Sequence, residues 1–220
     1  MNTAKPDPSR KSRMLRGDRR RQLLRCAVET FARRGFAGTK TRDIARAAGV
    51  SEAILFRHFA TKMELYHAIL DAKEDKQGAK LTRELENYAK RRDDAGLFRH
   101  LAASVFRSFR EDPAFHRLMV YAALEGHLMA SLFRERFVMP VGGYLRRYVA
   151  LRQKGGAFRK CDPDLATRFV LSAIMHYAMN RYVFGMKMKR FPRSEEAITE
   201  ELINLVMCGL RETSRGKGAE

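Results

Sequence analysis

Apolar side chains recur every three to four residues along most of the chain, which is the spacing of one face of an α-helix. The first such stripe contains Leu24, Ala27, Val28 and Phe31, and it ends at Gly35, a residue that tolerates a left-handed helix terminus. No stretch combines apolar–polar alternation with the Val, Ile and Thr enrichment that is typical of strands. The pattern therefore predicts an all-α protein.

A cluster of short helices follows the first one. Thr41 and Ser51 are placed to cap two of them, and Gly49 separates the two. Thr61 and Glu64 have the spacing of a capping box, which opens another helix. The first two of these short helices, with the three-residue turn between them, form a helix-turn-helix pattern.

The packing of a helix-turn-helix explains the residue types in this pattern. Small Ala45 and Ala48 let the helices approach closely, and Val50 fills the corner. The apolar contacts of a compact three-helix unit come from Ile44, Leu55 and Phe59. The side chains that then point outward from the second helix are Glu52, Ala53, Phe56 and Arg57. A helix with short side chains near its N-terminus fits the major groove of DNA, and Ser51 with nearby backbone amides can meet a phosphate.

Longer amphipathic helices are predicted in the rest of the chain. Asp162 and Pro163 read as a cap followed by a first-turn proline, and Ser194 marks the start of a last helix. The predicted helix starts and ends divide the chain into a flexible basic arm (1–17), a helix-turn-helix unit (18–67), a larger helical domain (68–213) and a disordered tail (214–220).

Composition narrows the class of protein. With 220 residues, 45% of them hydrophobic, the chain is long enough to bury a core, and it is neither wholly disordered nor a disulfide-stapled miniprotein. Its three cysteines are too scattered for a disulfide framework or a zinc site, so we expect reduced thiols. The longest uncharged run, residues 169–180, is far shorter than the about 20 apolar residues of a membrane span. We therefore expect a soluble, cytoplasmic protein with no membrane partner.

Charge points to an anionic partner. The chain carries 44 Lys and Arg residues against 25 Asp and Glu residues, a formal net charge of +19. Residues 1–67 hold 16 basic and 6 acidic side chains, so the first third is the electropositive end. Charge favours nucleic acid but does not by itself exclude an anionic membrane surface.

No pattern indicates catalysis. The chain has neither a glycine-rich phosphate loop nor a Gly-x-Ser-x-Gly elbow, and its histidines lack the pairing of a zinc protease. Cys161 as a redox sensor, or Glu125 with His127 as half of a metal site, are weaker alternatives, because lone residues of these kinds are more often structural. We predict no catalytic residues, no cofactor and no metal site.

Over about fifty residues the chain resembles the TetR family of transcriptional regulators. The resemblance starts in the first helix and runs through the Phe-Ala-Arg-Arg-Gly-Phe sequence at residues 31–36 and across the turn to the Phe-Ala-Thr-Lys-Met-Glu-Leu sequence at residues 59–65. It is carried in combination by Gly35, Thr41, Ile44, Ala45, Ala48, Gly49, Val50, Ser51, Leu55, His58, Phe59 and Lys62. The later part of the chain is similar in plan only, and there it implies a domain for effector binding and dimerisation.

The resemblance implies a set of DNA-binding residues. The second helix of the turn is the reader, with Glu52, Ala53, Ile54, Phe56 and Arg57 at base edges or the adjoining backbone. Arg42 lies where some family members contact a base, and Arg pairs well with guanine. Phosphate contacts are implied for Thr41, Ser51, His58 and Lys62. Phe56 stands where the family usually has Tyr, so one phosphate contact is missing and contact with a thymine methyl remains open.

The arginine-rich stretch at residues 10–21 has two readings. Its side chains could follow the phosphate backbone or a minor groove, which would steepen the salt dependence of binding. Alternatively, the stretch is a solvated tail.

A reader this small needs a second copy, because a pair of recognition helices about 34 Å apart is what selects a palindromic operator. The resemblance implies a homodimer through the last two helices, with contacts from Phe169, Val170, Ala173, Ile174, Tyr177, Leu202, Leu205 and Val206. The alternative is that these side chains are all internal core.

The resemblance also implies a site for a small, largely apolar effector, although such side chains are mostly packing. The candidate contacts are Phe106, Phe109, Met119, Phe133, Phe137, Met175 and Met179. The function expected from the sequence is a double-stranded-DNA-binding repressor released by this effector. The rival interpretation is a basic helical protein that binds RNA or a membrane surface, which explains the charge but not the helix-turn-helix pattern.

Overall fold

The computed structural model describes residues 8–74, 78–186 and 194–212, and within these ranges the chain is helical. From the N-terminus the helices are α1 (Pro8–Arg34), α2 (Thr41–Ala47), α3 (Glu52–His58), α4 (Lys62–Glu74), α5 (Gly78–Lys90), α6 (Asp94–Glu111), α7 (Pro113–Leu124), α8 (Leu128–Phe133), α9 (Met139–Lys154), α10 (Pro163–Ala178) and α11 (Glu195–Leu210). Short π-helical segments, Arg134–Val138 and Met179–Val183, follow α8 and α10. The all-α prediction is confirmed. None of these helices is long and apolar enough to cross a membrane.

Three predicted helix caps and the predicted start of the last helix are confirmed. The side-chain oxygens of Ser51, Thr61, Asp162 and Ser194 each accept a backbone N–H from the first turn of the following helix. Such a bond satisfies one of the amides that a helix leaves unpaired at its start. These caps explain why α3, α4, α10 and α11 begin where the sequence indicates.

Two helix starts differ from the expectation. Helix α1 begins at Pro8 rather than after Gly17, because proline suits a first turn and the following Arg, Lys, Met and Leu residues favour helix. Residues 8–17 of the predicted flexible arm are therefore helical, while residues 1–7 and the predicted tail at 214–220 lie outside the described residues. In α2 the cap position belongs to Lys40, and Thr41 is the first helical residue.

The chain forms two compact units. The reader unit, as we name it, comprises residues 1–75 together with 117–131, and the second unit comprises residues 76–116 and 132–220. The domain boundary predicted after residue 67 thus falls inside α4, whose Leu65 and Leu70 are both fully buried. The inclusion of residues 117–131 in the reader unit was not anticipated from the sequence.

In the reader unit α1 packs against α2 and α4, and α2 packs against α3. The predicted core residues Ile44, Leu55 and Phe59 are at most 1% exposed, as the apolar spacing requires. Small Ala45 and Ala48 are also buried at the contact between the helices. This packing buries one side of α3 and leaves the other side open.

The second unit is built around α6, α9, α10 and α11, which share one apolar core. At its edge Asp94, in the first turn of α6, receives two hydrogen bonds of 2.7 Å from the guanidinium of Arg152 on α9. The hydroxyl of Tyr148 donates to the same carboxylate at 2.5 Å, which helps to raise the pKa of Tyr148 beyond the effect of its burial. The three side chains tie α6 to α9.

Replacing Arg152 with Ala is expected to lower the free energy of unfolding by about 2–3 kcal/mol, because it leaves a half-buried carboxylate without its cation. The matched control is Arg168→Ala. Arg168 also pairs with an aspartate, Asp164, at 2.7 Å, but its side chain is 74% exposed, compared with 17% for Arg152. The control should cost much less, because solvent screens an exposed ion pair. Urea unfolding measures both, and equal losses would contradict the assignment.

Candidate nucleic-acid interface

The turn between α2 and α3 has the tight geometry that the sequence indicates. Gly49 adopts a φ of +65°, a conformation that side-chain-bearing residues rarely take. The amide of Gly49 donates to Arg46 O at 3.1 Å and the amide of Val50 donates to Ala45 O at 3.0 Å. The chain then enters α3 at the Ser51 cap, so the direction of α3 is fixed by the end of α2.

Helix α3 presents one open face. Glu52, Ala53, Phe56 and Arg57 are exposed, and the ring of Phe56 is 44% exposed. Ile54 is half-buried, and Leu55, on the opposite side of the helix, is buried. The exposed side therefore carries a carboxylate, a methyl group, an aromatic ring and a guanidinium within a single short helix.

Two predicted contact residues bond to each other. The hydroxyl of Thr41, at the start of α2, donates to Glu52 Oε1, at the start of α3, at 2.6 Å. This bond joins the first turns of the two helices and leaves the second carboxylate oxygen of Glu52 for another partner. Arg42, next to Thr41, is exposed. The structure thus brings Thr41, Arg42, Ser51 and Glu52 to neighbouring helix starts.

Lys62 has a different environment from that implied by the resemblance. Its ammonium donates to the carbonyl oxygens of Phe36, at 2.5 Å, and Thr39, at 2.7 Å. It also lies 4.1 Å from the centre of the Phe36 ring, a cation–π contact. Burial lowers the pKa of Lys62, and the charge of Glu125 opposes that shift. The side chain closes the loop between α1 and α2 from the side of α4, and two of its three N–H donors are occupied. His58, another implied phosphate contact, is half-buried at the end of α3.

Sequence reasoning missed the side chains of α1 that hold the turn. Gln22 Nε2 donates to Ala48 O at 3.1 Å, directly at the end of α2. The guanidinium of Arg20 lies 4.6 Å from the centre of the Phe59 ring, just after α3. The one sequence feature that pointed to the Gln22 contact is a polar residue next to Leu23, which is buried. These contacts show that part of the basic stretch in α1 serves the packing of the reader unit.

The predicted dimerisation residues divide into two groups. Val170, Ile174 and Val206 are at most 2% exposed and belong to the core of the second unit, so their side chains do not reach its surface. Ala173, Tyr177 and Leu202 are half-buried, while Phe169 and Leu205 are open to solvent. Helical spacing predicted the apolar faces correctly but could not separate their inner and outer edges.

The predicted effector contacts also divide. Phe106 and Phe109 are buried in the core of the second unit, and Phe106 packs against Tyr177 with ring centres 5.0 Å apart. Phe133 lies 5.1 Å from Phe137, and both rings are half-buried, as are the side chains of Met175 and Met179. Met119 belongs to the reader unit rather than to the second unit. In the described part of the chain no group of three His, Cys, Asp or Glu side chains could hold a metal ion.

Comparison with known proteins shows which family the helix-turn-helix segment resembles. Residues 23–69 match the model of the bacterial regulatory proteins of the tetR family. The transcriptional activator FasR of Mycolicibacterium smegmatis is 46% identical over 61 residues, which span 28% of each chain. The transcriptional repressor Rv3405c of Mycobacterium tuberculosis is 28% identical over 182 residues, which cover 82% of this chain and 80% of the relative.

Solved structures agree along most of the chain. The TetR-family regulator PfmR of Thermus thermophilus is 25% identical and superposes with a TM-score of 0.62, covering 86% of this chain and 99% of the other. The hemolysin II regulator HlyIIR, 19% identical, shares the fold with a TM-score of 0.61 over 90% of this chain and 99% of its own. Proteins of this family are regulators rather than enzymes. Residues 23–69 thus form a DNA-binding segment of the TetR-family type, and over most of its length the chain is similar to TetR-family transcriptional regulators.

Proposed function

We propose that the protein is a homodimeric repressor that binds a palindromic operator through α3 and leaves it when a small, largely apolar effector binds. The observation that carries the proposal is the open face of α3, where four exposed side chains of different chemistry stand on a helix whose other side is locked into the core. Such a face reads base edges when it enters the major groove.

The chemistry of the exposed side chains supports recognition of a sequence rather than of charge alone. Arg42 can pair with guanine through two hydrogen bonds, and the Phe56 ring can contact a thymine methyl. The free carboxylate oxygen of Glu52 can accept a hydrogen bond from the amino group of cytosine. Ser51 and His58 flank these groups as candidates for backbone contacts. A reader with both an acidic and a basic side chain favours particular base pairs and repels wrongly placed phosphates.

Exposed apolar side chains support a homodimer. Leu165 and Phe169, one helical turn apart on α10, are each 66% exposed, and Leu205 on α11 is 67% exposed. Large apolar groups at this exposure are costly in water and are typical of a surface that is covered in an assembly. TetR-family regulators are typically dimers with small-molecule effectors. Leu165 joins the predicted contacts here, while the buried members of the predicted set act by shaping the core behind them.

The direction of regulation is inferred from the relatives. Rv3405c, a relative that matches over most of this chain, is named a repressor, whereas the match to an activator is confined to 61 residues. An effector would act by favouring a state in which the two readers no longer fit adjacent grooves. The half-buried aromatic and methionine side chains of the second unit, Phe133, Phe137, Met175 and Met179, are the proposed contacts.

Selection from random DNA duplexes is expected to recover a palindrome whose half-sites are centred about one helical turn apart. Arg42→Ala should relax the preference at one symmetric position, with a loss of discrimination of about 1–3 kcal/mol there. Arg33→Ala, which removes the same charge at the exposed end of α1, should leave the base preference unchanged. Recovery of no common motif, or tighter binding of single-stranded RNA at about 150 mM salt, would favour the rival interpretation.

Phe169→Glu combined with Leu205→Glu is expected to convert the dimer to monomer, because two carboxylates on each copy would have to be desolvated in the interface. Sedimentation at micromolar concentration measures the mass. Leu151→Glu, at another exposed apolar position, should leave the dimer intact. A wild-type protein that sediments as a monomer would rule out this assembly.

Lys62→Met is expected to lower the free energy of unfolding by about 2 kcal/mol, since it leaves the carbonyls of Phe36 and Thr39 without their donor. Chemical unfolding measures the change, with Lys40→Met, at an exposed position, as the control. Duplex binding at several salt concentrations gives a second reading. A loss of affinity with a shallower salt slope and no loss of stability would instead identify Lys62 as a phosphate contact.

A further inference from the structure

The loop between α1 and α2 is held by a side chain from outside the helix-turn-helix segment. Glu125, at the corner between α7 and α8, accepts the backbone N–H of Phe36 through Oε2 at 3.2 Å. Both residues belong to the reader unit, although 89 positions separate them in the sequence. The bond gives the amide of Phe36 a charged acceptor at a place where the helix ladder has ended.

Gly35 makes room for this carboxylate. It adopts a φ of +69°, and a Cβ on its backbone would overlap Glu125 Oε1. The glycine therefore has two roles, since it turns the chain out of α1 and admits the Glu125 side chain against the backbone. The close approach is specific to this carboxylate, because the next neighbour of that Cβ outside Glu125 is a Tyr121 ring atom 3.4 Å away.

The corner that carries Glu125 is itself anchored on the loop. The ring of His127 lies 4.6 Å from the ring of Phe36 and 4.7 Å from that of Tyr66. Its Nδ1 accepts the amide N–H of Met129 at 3.2 Å, which requires that nitrogen to be unprotonated. Burial lowers the pKa of His127, in agreement with that state. Glu125 is thus presented by an ordered turn.

Lys62 holds the same loop from α4. Phe36 therefore has its N–H bound by Glu125 and its carbonyl oxygen bound by Lys62. The two opposite charges fix one residue of the loop on both sides of its backbone. Five residues further along the chain α2 begins with Thr41 and Arg42, which the proposed function places at the DNA.

We propose that Glu125 is a positioning residue for DNA binding. By holding Phe36 it sets the loop from which α2 starts, and so sets the placement of Arg42 and of the Thr41–Glu52 bond relative to α3. The inference rests on the proposed function, because it assumes that α2 and α3 meet DNA together.

Because Glu125 is negatively charged, a positioning role and a purely electrostatic role predict opposite changes in DNA affinity when its carboxylate is removed. Removing a carboxylate from a DNA-binding protein weakens its repulsion from phosphates, and on that ground alone affinity should rise. Loss of a positioning contact predicts the opposite, a fall in affinity. The slope of log affinity against log salt should stay the same, since no phosphate contact is removed.

The experiment measures binding of the full-length chain to its selected duplex for Glu125→Ala, Glu125→Asp and Glu125→Gln. Ala lacks the acceptor and Asp keeps the charge but shortens the reach, so both should weaken binding about fivefold, the effect of roughly one hydrogen bond. Gln keeps the length and an acceptor oxygen, and it should bind nearly as well as the wild type. Glu29→Ala, at an exposed position of α1, is the control for loss of one negative charge.

Hydrogen exchange at the Phe36 amide gives a reading that does not depend on DNA. Exchange should accelerate in the Ala and Asp variants and stay slow in the Gln variant. If Glu125→Ala does not fold, the comparison of Glu125→Asp with Glu125→Gln tests the inference, because both variants retain a polar side chain at this exposed corner. Ala or Asp variants that bind as tightly as the wild type would overturn the inference while leaving the proposed function standing. A wild-type chain that selects no duplex would instead remove the proposed function itself.

Discussion

The proposed recognition of DNA depends on holding a very short helix in place. Helix α3 has 7 residues, and an isolated helix shorter than about 12 residues is marginal in water. It persists here because Leu55 is buried, Ser51 caps its start and Glu52 is bonded to Thr41. The side that carries Leu55 is packed against the core, so the opposite side is the one available to DNA.

The supports of α3 come from far beyond the helix-turn-helix segment. From α1, Gln22 bonds to Ala48 at the end of α2 and Arg20 lies over the Phe59 ring just after α3. Lys62 closes the loop before α2 from α4, and Glu125 holds that loop from the corner after α7. The reader unit is therefore larger than the 23–69 segment that matches the family model. Two of its charged side chains, Lys62 and Glu125, bind backbone groups of the loop before α2.

Local signals in the sequence predicted several features of the helix-turn-helix correctly. Caps at Ser51 and Thr61, the left-handed Gly49 and the buried spacing of Ile44 and Leu55 all follow from nearest-neighbour rules, and the structure confirms them. The same rules failed where a tertiary contact decides. Thr41 looks like a cap in the sequence, but it is the first helical residue and bonds to Glu52. The contacts of Lys62 with the loop carbonyls have no local signal either, and its implied phosphate contact stays a prediction.

The second unit shows the same limit on a larger scale. Its apolar stripes were recognisable, but the stripe on α10 contains both Phe169, which is exposed, and Val170, which is buried. Adjacent positions on a helix differ by about 100° in direction, so the stripe alone does not say which edge faces the core. No sequence signal indicates that residues 117–131 pack with the reader unit, because the contacts responsible join residues far apart in the sequence, such as Phe36 and Glu125.

Dimethyl sulfate footprinting of the protein on a bound duplex tests the central claim most directly, because the reagent methylates guanine N7 in the major groove and adenine N3 in the minor groove. The account predicts protection of guanine N7 in two symmetric patches about one helical turn apart, where the two copies of α3 enter the major groove. A bound duplex in which every guanine N7 remains reactive would contradict it.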